Sequence, residues 1–281
     1  MQMKFFKTKK GIIITVLVLF AVFLVIRHIM AENSVFYKVP YEKVNISDTL
    51  NKESLSEKDY ILIYEQTGVS PAAAKEIINS GDTKFLKELN DLYFKSPDSE
   101  KNYIAYPVTL EEQNKSQYTP LVPLKKGDIL VTFNTRTLDW RHGHCGLVLN
   151  DSGTQLLEHM AIGQTSCTTD AFYWGRYPAF AVLRYSDPKV AEKAVDYANE
   201  NLVDIPYSIF AGIWKKDKTG EEKPTSHCSH IVWQAYKSQG VDIDKNGGFL
   251  VTPRDIAMSD KLQVVQIYGL NPKDYTSRIL K

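Results

Sequence analysis

Ser226-His227-Cys228-Ser229-His230-Ile231-Val232-Trp233-Gln234-Ala235-Tyr236-Lys237-Ser238-Gln239-Gly240 is the stretch on which the reading of this chain turns. Ser226 suits an N-cap, Ile231, Val232, Ala235 and Tyr236 recur at helical spacing, and Gly240 is a natural stop. The spacing therefore predicts a helix that begins beside Cys228. In a first helical turn, unpaired backbone N–H groups and the positive end of the dipole favour a thiolate, the nucleophilic form of cysteine. Most cysteines are simply small buried residues. A catalytic reading therefore needs a base and an orienting group elsewhere in the chain.

Trp140-Arg141-His142-Gly143-His144-Cys145-Gly146-Leu147-Val148-Leu149 runs into an Asn-Asp-Ser-Gly turn, then Gln155-Leu156-Leu157-Glu158-His159. Two strands about such a turn predict a hairpin. Alternation of period two puts His142, His144, Gly146 and Val148 on one face of the first strand. Glu158 is then expected on the second strand, within reach of an imidazole. On this pattern either histidine can serve as base, and the set is a nucleophile–base–orienter arrangement.

The combination of Gly127-Asp128-Ile129-Leu130-Val131, the His142–Leu149 run and Leu156–His159 with Ile205-Pro206-Tyr207-Ser208 and His227–Tyr236 resembles the NlpC-type papain-like cysteine hydrolases. Histidine before cysteine is the order of the circularly permuted, YiiX-like branch. The resemblance runs from about Leu121 to Gly269. It implies Cys228 as nucleophile, His144 as base directly before the Cys-Gly-Leu run, and Glu158 as third member. Tyr207 is implied beside the nucleophile, where its hydroxyl helps to hold the reacting carbonyl, and Ser229 also fits. Cys145 departs from the apolar residue that many relatives carry. The implied fold is circularly permuted papain-like with a mainly antiparallel sheet. The implied activity is a cysteine peptidase or amidase that needs no metal or organic cofactor, with peptides of a cell-wall polymer as leading substrate. A lipid-directed thiol acyltransferase or hydrolase is the alternative, since permuted papain-like folds include such enzymes. A non-catalytic binding module is the third reading.

The chain of 281 residues is 43% hydrophobic with a net charge of +1, enough for one substantial core plus a smaller element. The balanced charge gives no indication of a nucleic-acid partner. Three cysteines are too few for a disulfide framework. Cys145 and Cys167 are candidates to pair outside the cell, although lone thiols are the simpler account. Cys145, His142, His144 and Cys228 supply zinc-ligand types without zinc spacing. Asp242–Gly247 resembles the opening of a calcium loop, but Pro253 stands where a bidentate Glu is required, so a turn is expected. His227 and His230 are expected to point away from Cys228 as surface or packing residues. His142 and Trp140 are candidates for substrate contact; Trp140 and Trp233 suit either a groove or the core.

In chain order, 1–10 reads as a cytoplasmic basic segment with Lys4, Lys7, Lys9 and Lys10, and 11–30 as a transmembrane anchor. The sixteen uncharged residues Gly11–Ile26 span about 24 Å, which snorkelling by Lys10 and Arg27 extends toward the ~30 Å hydrocarbon core. The lysines predict a cytoplasmic start and a body outside the cytoplasm, at the cell membrane. A cleaved signal peptide competes, with a poor cleavage region at Ala31. Residues 31–53 read as a linker. Residues 54–105 read as a small helical subdomain that packs against the body. Its helices open at Ser56 with Asp59, at Ser70-Pro71 and at Asp82, with stops at Gly68, at Gly81 and before Pro97. Residues 106–281 form the expected hydrolase domain. It comprises an irregular crossover from Tyr106 to Lys126, a strand Ile129–Phe133, the hairpin, a loop through Gly163–Gly175 and a strand Ala179–Tyr185. A helix from Pro188 to about Asn201, a charged loop Lys215–Thr225 and a strand Leu262–Ile267 complete it. Separate runs of helices and strands give an α+β class.

Overall fold

The computed structural model describes residues 9–32, 36–105, 108–138, 140–212 and 225–279. The strands are β1 (Ser99–Ala105), β2 (Val108–Gln113), β3 (Ile129–Thr132), β4 (Thr135–Thr137), β5 (Trp140–Arg141), β6 (His144–Val148), β7 (Gln155–Glu158), β8 (Cys167–Asp170), β9 (Phe180–Tyr185) and β10 (Leu262–Tyr268). The helices are α1 (Lys9–Glu32), α2 (Ser47–Leu50), α3 (Glu57–Thr67), α4 (Pro71–Asn79), α5 (Thr83–Leu92), α6 (Pro188–Asn201), α7 (Cys228–Lys237) and α8 (Pro253–Ala257).

The main sheet has the order β10-β9-β3-β6-β7-β8, all neighbours antiparallel. Its strands are apolar on both sides, because both sides are covered. Ile129, Val131, Cys145, Leu147, Ala181 and Leu183 face α6 and α7, where Ala191, Ala194, Val195, Ile231, Val232 and Ala235 meet them. Leu130, Val148, Leu156, Phe180 and Val182 face the other way, onto Ile63, Val69, Ala74, Ile77, Leu86 and Leu89 of the N-terminal helical layer. The class is therefore α+β, with antiparallel sheets. A smaller sheet, β1-β2-β4-β5, flanks the main one and buries an Arg136–Glu111 ion pair at 2.7 Å.

The local signals for α3 to α6 hold. Ser56 and Asp59 form a capping box, Gly68 ends α3 in the left-handed conformation, and Ser70, Asp82 and Asp187 cap α4, α5 and α6. What local signals did not give is how tightly the helical segment joins the sheet. Ser70 N donates to Val265 O and Ile267 N to Gly68 O, both at 2.9 Å, so the α3–α4 turn is stitched along β10.

Four expectations are corrected. The linker is packed from Tyr37 onward: Tyr37 N donates to Gly269 O at 2.8 Å, and Val39, Ile46 and Leu50 are buried. The range expected to be helical ends in a strand, β1, and the crossover contains β2, paired to both β1 and β4. The loop through Gly163–Gly175 contains β8 and a 3-10 segment, Ala171–Arg176. The first hairpin strand is broken in two at Gly143, whose φ is +79°.

Helix α1 has 24 residues, about 36 Å, and its Lys9–Ile26 portion has a mean hydropathy of 2.5 with 6% of that span buried. It is long and apolar enough to cross a membrane. Lys4 and Lys7, and the charged loop from Lys215 to Pro224, lie outside the described residues.

Candidate active site

Cys228 is the first residue of α7, and the cap is His227 rather than Ser226. The Nδ1 of His227 accepts from His230 N at 3.4 Å, the role a Ser or Asp side chain usually fills. Ser226 is instead a buried junction. Its hydroxyl donates to Gln234 Oε1 and lies against His230 Nδ1, each at 3.0 Å. Its backbone accepts from Ser208 N at 2.8 Å and donates to Pro206 O at 3.1 Å. This short pairing lays Pro206–Ser208 beside the start of α7 and carries Tyr207 to the thiol. Tyr207 and Cys228 line the same cavity.

His144 opens β6, in register with Thr132 of β3, and Glu158 closes β7, in register with Gly146. The Nε2 of His144 lies 2.8 Å from Glu158 Oε1. Two further donors hold the carboxylate. Trp174 Nε1 donates to Oε1 at 3.0 Å, and the Thr169 hydroxyl donates to Oε2. The Trp174 indole also stacks on the His144 ring, with centroids 5.6 Å apart and planes 21° from parallel. Gly146 makes this possible, since a Cβ there would meet the indole at 3.1 Å and the Glu158 side chain at 3.4 Å. His144, Glu158 and Trp174 are all buried, so the imidazole can neither turn nor exchange its partner for water.

Burial would raise the Cys228 pKa; hydrogen bonding with His144 and then His227, together with their charge, outweighs it and holds the thiol well below its usual range. Burial would lower the His144 pKa; hydrogen bonding with Cys228 and Glu158 lifts it to about 9. Glu158 is pushed up by burial and brought below the usual carboxylate range chiefly by its His144 hydrogen bond. All three directions agree on a thiolate–imidazolium pair backed by a carboxylate. Cys145 behaves oppositely, its thiol raised by full burial. Cys145, Cys167 and Cys228 are free thiols.

His142 and His144 do not share a strand face, because the chain turns at Gly143 between them. The His142 ring is committed on both sides, with Nδ1 2.7 Å from Gly143 O and Nε2 2.8 Å from Thr137 Oγ1. Burial holds its pKa below the usual value. Of the two histidines, His144 is the one joined to both Cys228 and Glu158. The expectation for His227 is corrected, since it is buried and interacts with the thiol directly, whereas His230 is a packing residue stacked on Trp233.

A cavity of about 560 Å³ opens in front of Cys228. Trp140, His142, Tyr207, His227 and Ser229 line it, whereas His144 and Glu158 sit behind the thiol. Val108, Met160, Ile162, Ile209, Leu250, Val251 and Pro253 make most of its remaining wall apolar, with Thr137, Arg141, Thr252 and Arg254 among them. Ser229 fixes one side by donating to Val251 O at 2.8 Å. Trp233 is core; its Nε1 donates to Asp242 Oδ1 at 2.9 Å, closing the turn that resembled a calcium loop.

Comparison with family models, curated proteins and solved structures gave no match. The geometry therefore carries the functional argument. Sequence reasoning missed Thr169, Trp174 and His227. The first two lie in a stretch that reads as loop, and helical offsets turn His227 from the thiol only if it lies within the helix, which it precedes.

Proposed function

We propose that the protein is a membrane-anchored cysteine hydrolase that cleaves an amide bond, on a circularly permuted papain-like fold with its body outside the cytoplasm. The observation that carries this is the buried line Cys228–His144–Glu158 with its thiol facing a cavity. A pure binder has no need of a carboxylate behind an imidazole behind a thiol, and such perturbed groups in a cleft point to catalysis.

The Cys228 sulfur attacks the carbonyl carbon, and the C=O electron pair moves onto oxygen. In this reading the Cys228 N–H, which has no intrahelical acceptor at this position, and the Tyr207 hydroxyl from the cavity wall stabilise that oxyanion. When the C–N bond breaks, the amine leaves with the proton from His144, and a thioester remains on Cys228. His144 then takes a proton from water, whose oxygen attacks the thioester and releases the carboxylic acid and the thiolate. Glu158 holds the ring through both transfers and stays ionised.

Peptide amides of a cell-wall polymer are the substrate that the body's exported location favours. A lipid-directed acyl transfer or hydrolysis by the same residues is the second reading, favoured by the apolar cavity wall. Release of muropeptides against release of phospholipid acyl groups separates the two. Labelling the full chain with iodoacetamide at pH 6 tests the chemistry common to both. Cys228 is expected to react at least tenfold faster than Cys145 or Cys167, and equal rates would remove the thiolate on which the mechanism rests.

A further inference from the structure

Helix α1 ends at Glu32, and by Tyr37 the chain is already hydrogen-bonded to the body at Gly269 O. Five Cα–Cα steps separate these residues, a reach of at most about 18 Å. A body on so short a tether rests against the membrane if α1 crosses it. The point of attachment then decides which side faces the lipid.

That point is at the active-site end of the sheet. Gly269 follows Tyr268, and one row of paired residues runs from there across the strands: Tyr268 with Phe180, Phe180 with Thr132, Thr132 with His144. Three strand spacings, roughly 14 Å, separate the two ends of that row. Beyond the same end lie the exposed apolar side chains of the cavity mouth. Trp140, Ile162, Ile209 and Leu250 line the cavity itself, and Phe210 and Phe249, at 70% and 76% exposure, adjoin two of them. These side chains come from four separate segments of chain. Exposed apolar side chains gathered about one cavity mouth mark an interaction surface, and Trp and Phe settle at a headgroup boundary.

We infer that the rim formed by Trp140, Ile162, Ile209, Phe210, Phe249 and Leu250 is a bilayer-docking surface that lays the mouth of the Cys228 cavity on the outer leaflet. The inference rests on the membrane-anchored reading of α1. Docking removes the rim from water and places the nucleophile within reach of substrates that are themselves held in or on the membrane.

The test uses the full chain reconstituted in phosphatidylcholine vesicles, with plain or brominated acyl chains. The fluorescence lost on Trp140→Phe isolates Trp140 from the other three tryptophans. At least about half of that component is expected to be quenched by brominated lipid. In the Trp140→Phe background, Phe249→Trp is expected to add a quenched signal. Phe172→Trp is expected to add an unquenched one. Phe172 is exposed and follows β8 at Asp170, which pairs with Gln155 at the far end of the sheet. A Trp140 component untouched by bromine, or equal quenching at positions 172 and 249, overturns the docking surface while leaving the anchor intact. Release of the chain from vesicles by alkaline carbonate instead overturns the anchor, and the docking surface with it.

Discussion

Within the site, the acidity of Cys228 and the basicity of His144 are two sides of one interaction, and this fixes the pH dependence. The reactive form has Cys228 ionised and His144 protonated. Raising the pH through about 9 removes the His144 proton, so kcat/KM is expected to fall on that alkaline limb. On the acid side, activity is expected to persist well below the ordinary cysteine pKa, because the thiol is held down. Glu158→Gln removes the charge that helps to raise His144. It is expected to lower kcat/KM about 10²-fold and to move the alkaline limb to lower pH, whereas a loss of activity with an unmoved limb would assign Glu158 a structural role only. His144→Ala should cost most and His142→Ala least, as measured on folded single variants. Activity that survives His144→Ala but not His142→Ala would transfer the base to His142.

The elements hold these residues through turns that tolerate few substitutions. Gly143 separates β5 from β6 at φ +79°, and a Cβ there would lie 2.7 Å from Thr132 O, inside the row that carries His144. Gly163 has a similar φ of +85° with open space around it. Gly163→Ala is expected to cost only left-handed backbone strain, about 1–2 kcal/mol. Gly143→Ala adds a backbone clash to that strain and should cost more, seen as a thermal midpoint several degrees below that of Gly163→Ala. Equal midpoints would show that the β5–β6 turn relaxes freely and does not set the position of His144.

For the whole molecule, the packing of α3–α5 against the sheet makes the helical segment a layer of the fold. Removing residues 54–92 would uncover Leu130, Val148, Leu156, Phe180 and Val182 together. At about 1.5–3 kcal/mol for each fully buried apolar side chain, the five amount to roughly 7–15 kcal/mol, as much as the whole stability of a typical domain. The truncated chain is expected to show no cooperative thermal transition by circular dichroism. A sharp transition would restore the reading of a separate subdomain.

Much of this was legible because it is local. Caps at Ser56, Ser70, Asp82 and Asp187, the hairpin at Asn150–Gly153, the apolar run of α1 and the helical pattern after Cys228 each depend on a few neighbouring residues whose preferences survive folding. A helix start and a hairpin strand single out Cys228 and Glu158, whereas alternation leaves His142 and His144 equivalent and only the resemblance favours His144. The break at Gly143 was not legible, because a glycine in an apparent strand is compatible with continuation as well as with a turn. Nor were Trp174 and Thr169 behind Glu158, which depend on how β8 closes the sheet edge. The covering of the second sheet face by α3–α5, and the entry of the tether at the same end as His144, were likewise decided only in three dimensions. Both follow from strand order and register, which set residues far apart in sequence side by side.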